Sequence, residues 1–328
     1  MGIDYRYRKT ENIEKNIVKI EVARQVIELL PQLPHIEEHL RHKSLLKSSL
    51  FSARIEGNRL RIEEIESDNR NISRDKEKKE VLNILRALKW IHSKNSPKKI
   101  NVNTILKLHR FVMDDLSPNP GQLRHEPSAI FNQGGIAVYM APPPSEVLDL
   151  IHHLIEAIKT SKEHPGVAAA LGHFAFEKIH PFLDGNGRVG RLLSLYILKN
   201  SGYGFRGLVA NEEYLESHRQ EYYDLLSSAN IDITDFVEFF LHSIVISAEK
   251  AIEELKPKTE ETDVDTLLPR RQEILAIIND HRMVSFNFLK RRFQKIPDSS
   301  LHYDLKVLRR IGFIKKLGST RGVLYALK

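Results

Sequence analysis

The chain contains no cysteine in 328 residues. That absence removes disulfides, thiolate zinc sites and thiol nucleophiles together, and it fits a reducing compartment. No apolar run approaches the roughly 20 residues that a membrane span needs. The start, MGIDYRYRKTENIEK, is charged and lacks the apolar stretch of a secretory signal. The expectation is a cytoplasmic protein with no membrane partner. Acidic residues are scarce in one region only: residues 264–328 hold 14 Lys+Arg against 5 Asp+Glu, whereas the other 263 residues hold 36 against 38. The net charge of +7 therefore comes from the C-terminal segment.

A hydrophobic content of 41% and a charged content of 28% describe an ordinary globular chain. Its length predicts two or three compact units with enough sequence for a real core. Residues 13–255 carry helical periodicity, with apolar residues three and four apart, as at Val189, Leu192, Leu193 and Tyr196. The fold class is mainly α. Two places break the pattern. Residues 124–144, RHEPSAIFNQGGIAVYMAPPP, set two short apolar runs around Asn-Gln-Gly-Gly and stop at three prolines, the pattern of a β-hairpin standing out from helices. Residues 256–265, KPKTEETDVD, are charged with almost nothing to bury and read as a linker.

Beyond the linker, RRQEILAIIND, FNFLKRRFQ and SSLHYDLKVLRRIG read as three helices, the last capped by Ser and stopped by Gly312. The tail then alternates through two short strands around Gly318 and Gly322. Three helices followed by a hairpin is the order of a small α+β winged-helix domain.

The densest chemistry lies at residues 180–191, HPFLDGNGRVGR. The preceding stretch PGVAAALGHFAFEKI predicts a buried helix that delivers His180 at its end. Pro181 forces the chain out of helix, DGNG makes a tight glycine loop, and RVGRLLSLYILKN is helical again. Gly185, Asn186 and Gly187 then stand at a helix N-terminus, where free N–H groups and the dipole attract an anion. Arg188 and Arg191, three apart, are neighbours on that helix, and two guanidiniums beside exposed amides suit a polyphosphate. Asp184 is a hard oxygen ligand where Mg²⁺ would bridge protein and nucleotide. His180 is a candidate general base for an incoming hydroxyl. Alone, a glycine loop or an arginine pair also fits a plain turn or a solvated face; together the parts point to phosphate-group transfer.

HPFLDGNGRVGR resembles, at every defined position, the signature of Fic-domain proteins, H-P-F-x-D-G-N-G-R-x-x-R, and the resemblance extends over most of residues 45–245. It implies a protein adenylyltransferase that moves AMP from ATP onto a hydroxyl side chain of a target protein, with Mg²⁺. It implies His180 as the base and Asp184 as the Mg²⁺ ligand. It further implies that Gly185, Asn186 and Gly187 hold the α-phosphate and that Arg188 and Arg191 hold the outer phosphates. The kinase-like Doc branch carries Lys where this chain has Gly187, which favours AMP transfer over phosphate transfer. The implied layout is an N-terminal helical region at 1–100, a Fic core at 101–255, the linker at 256–265 and the winged-helix domain at 266–328.

Upstream, SLLKSSLFSARIEGN at residues 44–58 reads as a helix ended by Gly57, with Glu56 in the last turn. The helix dipole disfavours an anion there by a few tenths to ~1 kcal/mol, so Glu56 wants an outside cation. Pairing with Arg59 or Arg61, or plain solvation, would also satisfy it. S-A-R-I-E-G, Ser52 to Gly57, resembles the family's inhibitory motif, [ST]-x-x-x-E-[GN]. The resemblance implies that Glu56 bridges to Arg191 and blocks productive ATP binding, and that the same Glu can support removal of AMP.

The resemblance also sets a Tyr and an Asn against adenine, matching Tyr223 and Asn230, with Tyr222 as an immediate rival. It makes the hairpin at 124–144 a flap on which an extended target segment pairs by β-augmentation, although the family pattern departs around Phe131 and Asn132. Two other readings remain open. His173, Glu177 and His180 share one helix face with spacing that can hold Zn²⁺, as in a metal hydrolase. In a DNA-binding regulator, the third C-terminal helix would present His302, Lys306, Arg309 and Arg310, and the wing Lys315, Lys316 and Arg321; such a domain also serves protein contacts. The target protein, a nucleotide donor other than ATP, and the oligomeric state, a homodimer included, stay open.

Overall fold

The structure, a computed structural model, describes residues 5–30, 34–66, 72–131, 137–228, 230–255, 267–318 and 322–328. The expected linker at 256–265 lies outside the described residues, as do Asn132 of the hairpin and Arg321 of the wing. The chain divides into two compact units, Met1–Leu255 and Lys256–Lys328.

The first unit begins with α1 (Glu11–Leu29), whose N-terminus is capped by the Thr10 hydroxyl accepting from Ile13 N. It continues through α2 (Pro34–Ile55), the short α3 (Ile62–Glu66), α4 (Ile72–His92) and α5 (Val102–Val112). Asn101 and Thr104 close a capping box on α5. The hairpin follows as β1 (Ala129–Phe131) and β2 (Ala137–Met140), antiparallel, with Ile130 opposite Tyr139 and a register shift after Ile130. Then come α6 (Pro144–Thr160), α7 (Pro165–Ile179), α8 (Asn186–Asn200), α9 (Glu212–Ser217), α10 (Arg219–Ser227) and α11 (Thr234–Leu255).

α7 and α8 pack on each other at the centre. Twelve of the fifteen residues of α7 are buried, which is what a helix apolar all round requires. Around this pair, α11 and α6 pack on α7, α5 and α4 on α8, and α2 lies against α4 and α9. The core runs without a break from Ile13 of α1 through Leu50, Ile84, Phe174 and Leu193 to Phe240. α2 starts ten residues before the expected helix, because PHIEEHLRHK is too polar to show an apolar spacing. Its buried residues Leu46, Leu50, Ala53 and Ile55 fasten its C-terminal end into the core.

The second unit holds α12 (Pro269–His281), β3 (Met283–Ser285), α13 (Phe286–Arg292), α14 (Asp298–Arg310), β4 (Ile314–Leu317) and β5 (Leu324–Leu327). The strands form an antiparallel sheet of order β3-β5-β4. β3 is absent from the sequence reading, since three residues are too few for an alternation to register. The expected Ser cap of the third helix is also corrected: Pro297 is the N-cap, without a side-chain bond, and the two serines lie in the first turn. Ile274, Ile278, Leu289, Leu301, Leu308 and Ile314 form this unit's own core.

Candidate active site

α7 ends by turning at His180, which takes the left-handed conformation (φ 49°) and bonds its N–H back to Phe176 O at 3.0 Å. Pro181 then cannot continue the helix. The loop to α8 is held from inside. The Asn186 side chain accepts from Phe182 N at 2.9 Å and donates to Phe182 O at 2.8 Å, so both its polar atoms serve the loop. Any anion contact by Asn186 is therefore through its backbone N–H. Gly185 has φ 82° and a Cβ there would meet Met113 Sδ at 2.9 Å, so glycine is required on two counts. The N–H groups of Asn186, Gly187 and Arg188 make no hydrogen bond among the described residues, which leaves the anion-attracting end of α8 open.

A carboxylate of the chain itself stands at that end. Glu56 follows the last residue of α2, where Gly57 (φ 99°) turns the chain and Asn58 N bonds to Ala53 O at 3.1 Å. Its Oε1 lies 2.8 Å from an Arg191 terminal nitrogen and 2.3 Å from the point where a Cβ on Gly187 would sit. Arg191 also donates through Nε to Ser52 Oγ at 3.0 Å and through the same terminal nitrogen to Ser52 O at 2.9 Å. Its side chain is 2% exposed, that of Glu56 28%. Burial works against the Arg191 charge, but the Glu56 carboxylate together with the Tyr222 and Tyr223 side chains holds the guanidinium above its usual range. Glu56 thus faces neither Arg59 nor Arg61.

Arg188, expected with Arg191 at the outer phosphates, is here engaged by two carboxylates. It is buried, pairs with Glu80 of α4 through one terminal nitrogen and with Asp184 Oδ1 at 2.8 Å through the other. Glu80 in turn accepts from Asn58 Nδ2 at 2.8 Å, and Asn58 Oδ1 accepts from Leu60 N. The end of the Glu56 segment and Arg188, the first arginine of the motif, therefore share one carboxylate. Asp184 Oδ1 takes a further bond from Gly185 N at 2.6 Å, and the side chain is mostly exposed. The other carboxylate oxygen makes no hydrogen bond among the described residues. One carboxylate beside the anion-attracting end of a helix has the chemistry to hold Mg²⁺, which is commonly bound by one or two carboxylates, waters and substrate phosphates.

The His180 imidazole has Nδ1 3.4 Å from Glu177 O, which favours a proton on Nδ1 and leaves Nε2 to accept. Burial, with Arg124 adding to it, pushes the ring below its ordinary titration range, so it is neutral at pH 7. Tyr223 donates to Ile55 O at 2.9 Å, next to Glu56, and burial followed by the Glu56 charge pushes its hydroxyl up to about 12. Its rival Tyr222 is fully buried and bonds His173 Nε2 at 2.7 Å, so it belongs to the core. Asn230 is exposed between α10 and α11; its backbone N–H bonds Ser228 Oγ, and among the described residues no hydrogen bond joins it to the cluster.

The zinc reading fails on geometry. His173 is enclosed by Tyr222, Phe236 and Phe240, and burial lowers it to about 3. Glu177 is buried and raised to about 8, and among the described residues no group of three or more His, Asp or Glu could hold a metal ion.

Sequence reading missed four residues that shape the site. Glu80 lies four before buried Ile84 on α4, so an acid on an apolar face was its signal. His109 of α5 accepts from Gly121 N at 2.7 Å, donates to Asp184 O at 3.1 Å and stacks on Phe182 at 3.7 Å. Arg124 and Tyr139, at the base and in the second strand of the hairpin, bond the end of α7. Nothing local in the sequence marks the last three.

The chain is similar to known proteins over much of its length. Residues 99–198 match the Fic/DOC family. The "Protein adenylyltransferase Fic" of Drosophila virilis is 28% identical over 240 residues, covering 69% of this chain and 46% of that protein. The protein of the same name from Aedes aegypti is 33% identical over 171 residues, covering 50% and 32%. The chain thus spans less than half the length of these curated relatives. Among solved structures, a Fic family protein from Desulfovibrio desulfuricans G20 superposes with a TM-score of 0.73 at 24% identity, over 98% of this chain and 97% of that one. Fic-1 (aa134 - 508) from C. elegans gives 0.62 at 23%, over 74% and 73%. At these identities the structures speak for the fold. The chain carries a Fic domain of the Fic/DOC family, with the motif that begins at His180 inside the matched segment.

Proposed function

We propose that this chain is a protein adenylyltransferase that moves AMP from ATP onto a Ser, Thr or Tyr hydroxyl of a target protein or of itself, and that Glu56 holds it off. The observation that carries the reading is the Glu56 carboxylate at the α8 N-terminus and on Arg191, a place built for an anion. The relatives named protein adenylyltransferase support the chemistry. His180 Nε2 takes the proton of the target hydroxyl, whose oxygen bonds to the α-phosphorus of ATP while the α–β bridging bond breaks and pyrophosphate leaves. The amides of Asn186, Gly187 and Arg188 face the α-phosphate, and Arg191, once released by Glu56, takes the terminal phosphate. Asp184 would hold Mg²⁺, which when bound neutralises phosphate charge. Tyr223 and Asn230 are proposed at the adenine. The flap is proposed to pair with the target segment, and ATP chemistry in a chain without cysteine is proposed for the cytoplasm. Incubating Glu56→Gly protein with ATP labelled at the α- or the γ-phosphate tests the reaction. Label on protein from the α-position alone, abolished by His180→Ala, is expected; label from the γ-position would mean phosphate transfer instead. Removal of AMP with Glu56 orienting water is the alternative on the same residues, read as loss of label from pre-modified protein.

A second reading concerns residues 266–328 as a winged-helix domain that binds DNA. It is supported by Lys306, Arg309 and Arg310 exposed on α14 and by Lys315 and Lys316 exposed on β4. His302 is a weaker candidate for contact, because it stacks on Phe286 at 3.8 Å. A salt-dependent shift of labelled duplex by the full chain is expected; no shift even at low salt would leave this surface for another protein.

A further inference from the structure

The last carbonyls of a helix find no partner within it and must be capped from outside or by water. At the end of α7 the flap supplies the caps. Lys178 O accepts from the Tyr139 hydroxyl at 3.0 Å, Ile179 O from an Arg124 terminal nitrogen at 3.4 Å, and His180 O from Arg124 Nε at 2.7 Å. The Arg124 backbone N–H adds a bond to Pro181 O at 2.9 Å. The same guanidinium donates to Glu126 O at 3.0 Å and to Pro142 O at 2.5 Å, one on each side of the hairpin. Arg124 is 2% exposed, so these bonds are made out of water, where a lost partner is expensive. Lys178 completes the contact: its ammonium sits 4.4 Å from the Tyr139 ring centre, buried and without a hydrogen-bond partner among the described residues.

We infer that Arg124 and Tyr139 are positioning residues that make the flap the C-terminal cap of the helix bearing His180, so that flap and base are set as one piece. His180 is in a left-handed conformation (φ 49°) that is strained for a non-glycine residue and persists only where its surroundings fix it. The bond from Arg124 to its carbonyl is one of the contacts that fix it. A target strand paired to the flap then meets the imidazole at a constant offset. Without the clamp the nucleotide still binds at α8, but the hydroxyl and the base lose their alignment. Misplacement of about 1 Å is enough to cost about 100-fold in rate. The catalytic half of this inference rests on the AMP-transfer reading; the structural half does not.

The test uses the full chain with Glu56→Gly as parent, adding Arg124→Lys or Tyr139→Phe. Lysine keeps the charge and loses the fork that reaches four carbonyls, whereas Tyr139→Phe removes a single bond and leaves the ring for Lys178. Amide hydrogen exchange over residues 137–141 and 178–182 is measured together with AMP transfer at varied ATP. Arg124→Lys is expected to raise exchange in both segments at once and to lower kcat on the order of 100-fold, with KM for ATP within about twofold. Tyr139→Phe should move the same readouts in the same direction, by less. Exchange unchanged in both segments for Arg124→Lys overturns the inference whatever the rate, and so does a rise in KM for ATP as large as the fall in kcat. A parent that transfers no AMP overturns the functional reading alone, and the exchange comparison still decides this one.

Discussion

Glu56 and Arg191 meet at 2.8 Å across 135 positions of sequence, with Gly187 directly beneath the carboxylate. An acid at the C-terminal end of α2 is disfavoured by its own helix dipole, and the same acid at the N-terminal end of α8 is favoured. The carboxylate therefore gains from α8, and at the end of α2 the Arg191 cation offsets the opposing dipole; any other anion that uses α8 and Arg191 has to displace it.

Removing the carboxylate should make stability depend on nucleotide. Glu56→Gly leaves buried Arg191 bonded to Ser52 and without its carboxylate, and is expected to destabilise the first unit by about 2 kcal/mol, under the roughly 3–5 kcal/mol of a fully buried pair because Glu56 is partly exposed. ATP with Mg²⁺ at about 100 times Kd should return about 2.7 kcal/mol to the variant, a rise of roughly 5–10 °C in melting temperature. The parent chain should shift by less than about 2 °C. Equal shifts in calorimetric melting of the two proteins would remove the competition.

The first arginine of the motif, Arg188, is held by Glu80. Glu80→Gln keeps the shape and removes the charge that faces buried Arg188. A loss of about 3 kcal/mol in urea unfolding is expected. Asn58→Ala combined with it should lose less than the sum of the single changes, because both act through the same carboxylate. Strict additivity would mean that Asn58 and Glu80 act separately.

Burial gives the histidines and Glu177 opposite pH effects on stability. His92 and His109 are lowered to about 4 and His173 to about 3, by burial, from an ordinary 6.5. Between 6.5 and about 4 the unfolded chain takes up protons that the folded chain refuses, so stability is lost as pH falls through that window, by about 1.4 kcal/mol per unit for each group. Glu177 is raised by burial from 4.5 to about 8. From 4.5 to about 8 the folded chain keeps a proton that the unfolded chain has lost, so this contribution falls as pH rises. Glu177→Gln should therefore change stability little at pH 4.5 and raise it at pH 8 relative to the parent. Urea unfolding at both values checks this; the same difference at both would show that Glu177 is ionised in the fold.

The rate has its own pH signature. His180 is depressed by burial first and by Arg124 next, against opposing effects of its bond to Glu177 O and of Glu56 and Asp184. The acid limb of AMP transfer by Glu56→Gly protein is expected below pH 6.5, with a rate independent of His180 titration from there to pH 8. A midpoint above 7 would place another group in the role of base.

Much of this site was legible in the sequence because its signals are local. Residues 180–191 are consecutive, and the helix, glycine loop and helix follow from Pro181 and the glycines. The acid at the end of a helix announced a missing cation without saying which, and the family resemblance pointed to Arg191. What was not legible depends on partners far away in the chain. Arg188 and Arg191 look alike from their spacing, yet Glu80, 108 positions upstream, neutralises the former and leaves the latter to Glu56. Tyr222 and Tyr223 are neighbours, and only the helix rotation sends one to His173 and the other to Ile55. Arg124 is unmarked as the first residue of the hairpin segment 124–144, because its four carbonyl partners carry no side-chain signature. Asn186, expected among the phosphate-holding residues, spends its side chain on Phe182, a bond no spacing rule supplies.

The central claim is that one cation serves either Glu56 or the nucleotide. It is tested most directly by the initial rate of protein labelling from α-labelled ATP, measured for the parent, Glu56→Gly and Glu56→Gly/His180→Ala at equal concentrations. The account predicts a rise of at least about tenfold on removing Glu56, equivalent to about 1.4 kcal/mol, and loss of that gain when His180 is also removed. Equal rates for the parent and Glu56→Gly would contradict it.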